Sequence, residues 1–418
     1  MTDLPPGWTR TTIGEVCGVV SGATPKSTVP EYWGGDIPWL TPDDLSRNRS
    51  KTVYEGRRSL TAAGYDSCST RMVPPGSLLF SSRAPIGYVA IAGGWLCTNQ
   101  GFKTAVPSAE IDSSYLYWFL RFKTSEIEAR ASGTTFKEIS AKGFAKTELF
   151  FPSLVEQRRI VTALEAHISR VEQGSNQLHQ ASMRVRSLRK SVLHHYCSFD
   201  TSNEKWSEVA IGDIGDVVTG STPNSKDPNY WGGDFPFVTP GDIGYGDKVI
   251  SASRTLTDAG ADVSRCLDSG AILVVCIGAT LGKVGWIDRP CVTNQQINAI
   301  RVDPDLYDSR FIAYALSAPR LNSRLRSEAS NTTLPILNKK RFQRIKIHVP
   351  VLKEQRRRVI EIEEKIASLE ALQGVVHASH ARALRLQVSL YKEAFTGKLG
   401  LGKSENESVS TEWAEGAA

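Results

Sequence analysis

The sequence of 418 residues carries one set of motifs twice, and this duplication constrains the fold more than any other feature. Trp8–Glu15 returns as Trp206–Asp213, 198 residues later, and Tyr32–Pro38 returns as Tyr230–Pro236 at the same offset. A period of this length is far above the 20–50 residues of solenoid repeats. Each copy is therefore predicted to be a complete domain with an attached element.

Further short motifs recur in the same order in both copies. They are rich in Gly, Thr, Asn or Arg, and small gaps change their offset only slightly. The pairs are Gly22-Ala23-Thr24-Pro25 with Gly220-Ser221-Thr222-Pro223, Thr98-Asn99-Gln100 with Thr293-Asn294-Gln295, Ala131–Thr135 with Ala329–Thr333, and Glu156-Gln157-Arg158-Arg159 with Glu354-Gln355-Arg356-Arg357. A matching order over so many motifs excludes chance similarity.

Length and composition indicate an ordinary globular protein of two to three domains. Hydrophobic residues make up 40% and charged residues 22% of the chain, and no apolar run is long enough for a membrane span. The N-terminal residues do not form a secretion signal, and the seven cysteines show no Cys-x-x-Cys pair. We therefore expect a cytoplasmic protein with reduced thiols. Its net charge of +6 permits a nucleic-acid partner without requiring one.

The first part of each copy, 1–151 and 199–349, is predicted to be a mixed α+β domain. It is rich in Gly and Pro and contains short apolar runs, such as 77–80 and 271–275, that are typical of strands bounded by turns. One helix is predicted in each domain, over 114–130 and 310–325.

The second part of each copy, 152–198 and 350–400, is predicted to be one long coiled-coil helix, over about 153–196 and 352–395. Apolar residues keep a 3-4 spacing, which favours a coiled coil over an amphipathic helix packed on its own domain. Polar residues at later core positions fit a defined register, and Gly174 and Gly374 are candidates for a bend or break. The apolar core positions include Val161, Leu164, Ile168, Val171 and Leu178 in the first copy and Val359, Ile362, Ile366, Leu369 and Val376 in the second. Residues 401–418, rich in Glu and Ser, are predicted to be a disordered acidic tail.

Catalytic and cofactor motifs are not recognisable in the sequence. Gly278–Lys283 has too few residues between its glycines for a phosphate loop and is predicted to be a strand-turn-strand. Gly244-Tyr245-Gly246 lacks a strand-to-helix context, and His377 and His380 are expected on a helix surface without a metal. The Asn/Asp-Pro-Pro-Tyr tetrapeptide of adenine methyltransferases is missing as well. The chain is therefore predicted to be non-catalytic, with no metal and no cofactor of its own.

Basic residues cluster at equivalent places in the two copies, after the Ala131–Thr135 and Ala329–Thr333 motifs. Such clusters beside polar loops are candidates for contacts with the phosphates of DNA. They are Lys137, Lys142 and Lys146 in the first copy and Lys339, Lys340, Arg341 and Arg344 in the second. For the Glu-Gln-Arg-Arg motif we favour a structural role, in which Arg158 and Arg356 are solvated or pair with Glu156 and Glu354, because a cation at a helix start opposes the dipole.

Base discrimination is expected in segments that differ between the copies, such as 47–58 against 245–253, where Arg47 and Arg57 are the candidates. The Tyr-Trp-Gly-Gly-Asp motif could instead stack on bases. We favour a scaffold role for it, because two domains that read different targets would not keep identical reading residues.

The duplicated set Gly-x-Thr-Pro, Tyr-Trp-Gly-Gly-Asp, Thr-Asn-Gln and Glu-Gln-Arg-Arg, each copy ending in a long helix, resembles the DNA specificity subunit of type I restriction-modification systems. The resemblance covers about residues 4–400. The segment Lys392–Leu399 is also similar to the closing helix of that family, and its counterpart near Cys197-Ser198 has diverged.

This resemblance implies two target recognition domains separated by two antiparallel coiled-coil helices with pseudo-two-fold symmetry. Each domain would read one half of a bipartite, asymmetric site in double-stranded DNA. The helices would dock two modification subunits, which bring S-adenosylmethionine and the adenine-N6 methyltransferase site. Up to two restriction subunits would add ATP- and Mg-dependent translocation and cleavage. The main alternative is a duplicated interaction scaffold that does not bind DNA.

Overall fold

A computed structural model describes residues 4–47, 50–83, 85–133, 137–198, 206–330 and 334–399. The predicted acidic tail, 401–418, and most of the Thr-rich parts of the two basic-cluster loops lie outside the described residues. The chain forms two compact units. Unit 1 comprises 1–177 together with 379–418, and unit 2 comprises 178–378.

Unit 1 begins with the following elements up to the first long helix: β1 (Thr9–Thr12), α1 (Ile13–Val16), β2 (Cys17–Ser21), a 3-10 turn (Pro30–Tyr32), β3 (Trp33–Leu40), α2 (Pro42–Arg47), β4 (Thr52–Val53), β5 (Arg58–Leu60), α3 (Ala62–Asp66), β6 (Leu78–Ser82), β7 (Ile86–Ala92), β8 (Cys97–Thr98), β9 (Phe102–Pro107), α4 (Ser113–Ala129), α5 (Ala141–Ala145), β10 (Glu148–Phe151) and α6 (Leu154–Cys197). The end of α6 belongs to unit 2.

Unit 2 continues with a matching series: β11 (Trp206–Ala210), α7 (Ile211–Ile214), β12 (Gly215–Thr219), a 3-10 turn (Pro228–Tyr230), β13 (Trp231–Val238), β14 (Tyr245–Lys248), β15 (Arg254–Leu256), α8 (Asp258–Asp262), β16 (Cys266–Leu267), β17 (Ile272–Val275), β18 (Val284–Trp286), β19 (Cys291–Thr293), β20 (Ile297–Val302), α9 (Ser309–Ser317), α10 (Pro319–Ser327), α11 (Lys339–Arg344), β21 (Lys346–Pro350) and α12 (Leu352–Phe395). The end of α12 belongs to unit 1.

The two units share one sheet topology. The five-stranded sheet has the order β2-β9-β6-β7-β4 in unit 1 and β12-β20-β17-β18-β14 in unit 2. A smaller sheet, β5-β3-β8, returns as β15-β13-β19-β16 with one added strand, and the pair β1-β10 returns as β11-β21. The duplicated α+β fold predicted from the sequence is confirmed.

The predicted helix over 310–325 is wrong in one respect, because it is two helices in the structure. The first copy has the continuous α4, whereas in the second copy α9 ends at Ser317 and α10 starts at Pro319. Proline has no N–H to donate inside a helix, and it forces the preceding residue out of helical geometry. Ala318 accordingly has extended angles, φ −61° and ψ 143°.

The long helices agree closely with the sequence pattern. Each has 44 residues, about 66 Å at 1.5 Å per residue, and each continues through its glycine, Gly174 or Gly374, without a break. Within unit 2 the end of α6 runs antiparallel to the start of α12. Gln373 Nε2 donates to Ser182 Oγ at 2.9 Å, and Arg358 Nη1 donates to the carbonyl of Tyr196 at 2.7 Å.

The predicted core positions of these helices face inward. Val161, Leu164 and Ile168 belong to the main core of unit 1, and Val359, Ile362 and Ile366 to that of unit 2. Val376 is buried, whereas Val171, Leu178 and Leu369 are half-buried. The burial therefore follows the heptad into the middle of each helix.

The ends of the long helices complete the two domain cores. In unit 1 the Phe395 ring of α12 contacts the rings of Tyr115 and Phe119 on α4, with centroids 5.3 and 5.2 Å apart. In unit 2, Leu193 and Cys197 of α6 lie in one core with Phe311 of α9. Each domain thus uses helix segments that are distant in sequence.

We predict that Leu164→Ala lowers the free energy of unfolding by about 2–5 kcal/mol, because its side chain is fully buried and truncation leaves a cavity. Leu188→Ala makes the same change at a position of the same helix that is 50% exposed, and should alter stability by no more than about 0.5 kcal/mol. Urea unfolding of the full chain measures both. Equal losses in the two variants would contradict the assigned helix register.

Candidate functional site

Two repeated motifs meet in each unit and form a rigid pair of loops. In unit 1 the Thr24 hydroxyl donates to Gln100, and in unit 2 Thr222 donates to Gln295 at 2.7 Å. A side chain at Gly22 would place its Cβ 2.1 Å from the carbonyl oxygen of Thr98. The Gly-x-Thr-Pro motif therefore needs glycine because its backbone lies directly against the Thr-Asn-Gln loop.

The Tyr-Trp-Gly-Gly-Asp motif begins strand β3, and an arginine of its own domain covers its tryptophan. Gly34 has a φ of +86°, which favours glycine, and the Arg58 guanidinium lies 3.3 Å from the centroid of the Trp33 ring. In unit 2, Arg254 covers Trp231 in the same way, at 3.7 Å. Because an arginine occupies one face of each indole, the geometry favours the scaffold role over base stacking.

The glutamine of the Glu-Gln-Arg-Arg motif attaches each domain to its long helix. Gln157 is fully buried, accepts from the Asp112 backbone N–H at 2.9 Å, and donates to the carbonyls of Glu110 and Pro152 at 2.8 and 2.9 Å. Asp112 also caps α4 by accepting from two backbone N–H groups of its first turn. One side chain therefore joins the start of α6 to the turn before α4.

Gln355 makes the same set of bonds in unit 2. It accepts from the Asp308 backbone N–H at 2.9 Å and donates to the carbonyls of Leu306 and Pro350 at 3.3 and 2.8 Å. Sequence reasoning missed both glutamines, because it assigned the motif to its charges. The sequence signal for them is that the same neutral residue, glutamine, lies between the charged residues of the motif in both copies.

The second arginine of this motif pairs with the motif glutamate in both copies. Arg159 pairs with Glu156 at 3.2 Å, and Arg357 pairs with Glu354 in the same arrangement. Hydrogen bonds from Arg357 and Arg358 lower the pKa of Glu354 to about 2. The motif glutamate is thus paired with the second arginine of each motif, whereas Arg158 lies 3.5 Å from Asp112 and Arg356 is exposed.

The predicted phosphate contacts lie on equivalent short helices. Ser140 caps α5 in unit 1 and Asn338 caps α11 in unit 2, each by accepting one backbone N–H bond. The side chains are exposed, and among the described residues none of them forms an ion pair. They are Lys137, Lys142 and Lys146 on or beside α5, and Lys339, Lys340, Arg341 and Arg344 on α11.

The proposed base-reading arginines lie on an anchored loop. The Thr41 N–H and hydroxyl both donate to Asp44 at 2.7 Å, and the Arg57 backbone N–H donates to the other Asp44 oxygen at 3.1 Å. The Arg57 side chain pairs with Asp43 and Asp44, and Arg47 lies 3.4 Å from Asp43. These two guanidinium groups are thus held together by a shared carboxylate.

In unit 2 the same anchor carries different side chains. Asp242 accepts from Thr239 as Asp44 does from Thr41, but the third donor is the backbone of Ser253, at the place of Arg57. The loop backbone is therefore held in the same way in both domains, whereas the side chains that the loop carries differ between them.

Gly278–Lys283 connects β17 to β18 as a turn, as the sequence predicts, and Lys283 Nζ donates to the carbonyl of Pro240 at 3.0 Å. In the part of the chain that the structure describes, no group of His, Cys, Asp and Glu could hold a metal, and no helix is long and apolar enough to cross a membrane. Burial raises the pKa of Cys17, Cys197 and Cys276 to about 12, which keeps these thiols protonated at neutral pH.

The model of the type I restriction modification DNA specificity domain matches the chain twice, over residues 5–180 and 203–371. These matches cover most of the sequence. The chain therefore belongs to the family of type I restriction-modification specificity subunits, as the repeated motifs predict.

Several characterised relatives are similar in sequence. The MjaIX specificity subunit of Methanocaldococcus jannaschii is 32% identical over 249 residues, which cover 56% of this chain and 58% of that protein. The HindI specificity subunit of Haemophilus influenzae is 30% identical over 169 residues, 39% of this chain and 36% of that protein. The EcoBI specificity subunit of Escherichia coli is 22% identical over 423 residues, 94% of this chain and 86% of that protein. The chain thus aligns with about half or less of the first two relatives.

Solved structures support the fold. A chain from a study of complex assembly and conformational transition in a type I restriction-modification system has a TM-score of 0.78 at 22% identity, covering 96% of this chain and all of that chain. The HsdS subunit from Thermoanaerobacter tengcongensis has a TM-score of 0.55 at 22% identity, with 95% and 99% covered. At this identity the likeness is one of architecture.

We predict that Gln157→Leu lowers the free energy of unfolding by about 1–3 kcal/mol for each buried backbone group that loses its partner. Gln173→Leu, at an exposed position of the same helix, is the matched control and should have little effect. Denaturant unfolding of both variants provides the comparison. If the denaturant midpoint of Gln157→Leu equals that of the wild type, the glutamine does not stabilise the junction between α6 and the turn before α4.

Proposed function

We propose that the chain is the DNA specificity subunit of a type I restriction-modification complex, in which each unit recognises one half of a bipartite target. The observation that carries this proposal is the combination of equal scaffolds and unequal loops. Both domains keep the same internal contacts, which are the paired Gly-x-Thr-Pro and Thr-Asn-Gln loops, the arginine over the motif tryptophan, and the buried glutamine. The loops anchored by Asp44 and Asp242 differ, because one carries Arg57 where the other carries Ser253. Family membership supports the same function and weighs against a scaffold that does not bind DNA.

The subunit itself performs no chemistry in this proposal. Methylation of adenine N6 would be carried out by two modification subunits docked on the long helices, with S-adenosylmethionine bound to those subunits. Up to two restriction subunits would add ATP- and Mg-dependent translocation and cleavage. Exposed apolar side chains on α6 and α12, such as Met183, Leu188, Val375 and Val388, supply surface for such partners, and the complex would act in the cytoplasm.

Within each domain we assign positioning to the basic short helices and discrimination to the divergent loops. Lys142 and Lys146 on one domain, and Lys339, Lys340, Arg341 and Arg344 on the other, are exposed cations that suit phosphate contacts. Arg47 and Arg57 suit base edges, because an arginine whose guanidinium plane is held in place can donate two hydrogen bonds to one guanine.

Exchange of residues 1–151 for the equivalent domain of a relative should alter one half of the recognised site and leave the other unchanged. Genome-wide mapping of methylated adenines, in cells that carry the exchanged gene or none, measures this directly. Simultaneous change of both half-sites would refute the assignment of one half-site to each domain.

Lys340→Ala should weaken binding to all DNA sequences alike, and it should reduce the slope of log affinity against log salt by about one. Arg47→Ala or Arg57→Ala should instead reduce discrimination at particular base pairs, by about 1–3 kcal/mol for a lost two-point contact. Affinities of the complex with its methyltransferase partner for cognate and one-base-changed duplexes, at two salt concentrations, separate these effects. Lys365→Ala, an exposed lysine on α12, is the control. A changed base preference in Lys340→Ala with an unchanged salt slope would reverse the two assignments.

A further inference from the structure

Unit 2 contains a small cavity with a basic wall. It has a volume of about 80 Å³ and lies between the C-terminal end of α6, helix α10 and strand β21. Arg320 and Arg324 of α10 line it together with Lys346 and His348 of β21. One water molecule needs about 10–15 Å³, so the cavity has room for a group the size of a tetrahedral oxyanion.

Within the described part of the chain, the charges around this cavity do not balance. Glu208 is the carboxylate that faces the wall, pairing with Lys346 at 2.7 Å and lying 4.0 Å from His348. Arg320 is exposed and forms no ion pair with any of the described residues, while Arg324 is held by donating to the Lys346 carbonyl at 3.1 Å. Among the residues that the structure describes around the cavity, three permanent cations therefore stand against one anion.

The start of α10 adds to this positive potential. Pro319 and the cap residue Ala318 provide no side-chain oxygen for the first turn, so the helix end keeps its partial positive charge. Ala318 also lines the cavity. The arginine wall and the uncapped helix end thus act on the same space.

The basic cavity is particular to unit 2 and is not required by the shared fold. At the positions of Lys346 and His348, unit 1 has Glu148 and Phe150. The C-terminal part of α4, which corresponds to α10, has Phe122 and Glu126 at the positions of Arg320 and Arg324. Lys346 has a structural counterpart, because its pair with Glu208 repeats the Arg10–Glu148 pair of unit 1 with the charges exchanged. The two arginines are therefore the cations that the shared fold leaves unexplained.

We propose that this cavity binds a backbone phosphate of the DNA next to the half-site that unit 2 recognises. This inference rests on the proposed function. Arginine presents two parallel N–H donors to a phosphate, and two arginines on one helix turn supply such donors from one side. The basic helix α11 contacts the other end of α10, where Arg341 Nη1 donates to the Glu328 carbonyl at 3.4 Å.

The test uses the complex of the full chain with its methyltransferase partner. The double variant Arg320→Ala/Arg324→Ala should bind every duplex more weakly, with a slope of log affinity against log salt reduced by about one. Arg326→Ala removes one positive charge from α10 outside the cavity and should leave most of the slope unchanged. Arg320→Lys/Arg324→Lys keeps the charge and should retain the slope. An unfolding midpoint temperature equal to that of the wild type establishes that each variant is folded.

Phosphate ethylation interference locates the contact. Ethylation of one phosphate beside the half-site read by unit 2 should weaken binding by the wild-type complex, and the double alanine variant should be insensitive to that ethylation. Its interference pattern at the other half-site should match the wild type.

The possible failures are distinguishable. A wild-type complex without salt-dependent DNA binding would remove the proposed function itself. If the wild-type complex binds DNA and the double variant keeps the wild-type salt slope and ethylation pattern, only the assignment of the cavity is overturned. Saturable binding of inorganic phosphate that is lost in the double variant, with no change in the DNA slope, would also overturn it by showing a site for free phosphate.

Discussion

Each domain core is completed by the ends of two different helices, and the rest of the structure depends on this packing. In unit 1 the start of α6 supplies Leu164 and the end of α12 supplies Phe395, and both pack in the core that contains Tyr115 of α4. In unit 2 the end of α6 and the start of α12 serve in the same way. Neither long helix can shift along its axis without opening a domain core, so burial fixes the helix register at both ends.

The buried glutamines extend this constraint from the core to the orientation of each domain. Gln157 and Gln355 join a helix start to the turn before the next domain helix, with bonds only to backbone groups. Backbone contacts do not depend on the sequence of the loops, so loops can diverge while the domain keeps its position on the helix. This separation of framework from surface is what a protein needs if its recognition residues change and its assembly does not.

The duplicated α+β fold and the long helices could be predicted from the sequence because repetition and heptad spacing are local patterns. Helix bounds of 153–196 and 352–395 differ by at most one residue from Leu154–Cys197 and Leu352–Phe395. The repeat predicts one helix over 310–325 by analogy with α4, whereas the local signal, Pro319, starts a second helix. The division of each helix between two units could not be read from a heptad, which indicates burial without naming the partner. The cavity of unit 2 was equally hidden, because its lining comes from residues near 194, 320 and 346.

The composition of unit 1 also determines when it can be finished during synthesis. A ribosome releases a chain from its N-terminus, and most domains can fold as soon as their own residues have emerged. Unit 1 includes 379–418, so its aromatic cluster around Tyr115 and Phe119 receives Phe395 only after all of unit 2 has been made. Until then the core of the first domain lacks Leu390, Tyr391, Ala394 and Phe395. The domain that is translated first is therefore the last to be completed, and a nascent chain interrupted anywhere in unit 2 leaves it without its closing helix.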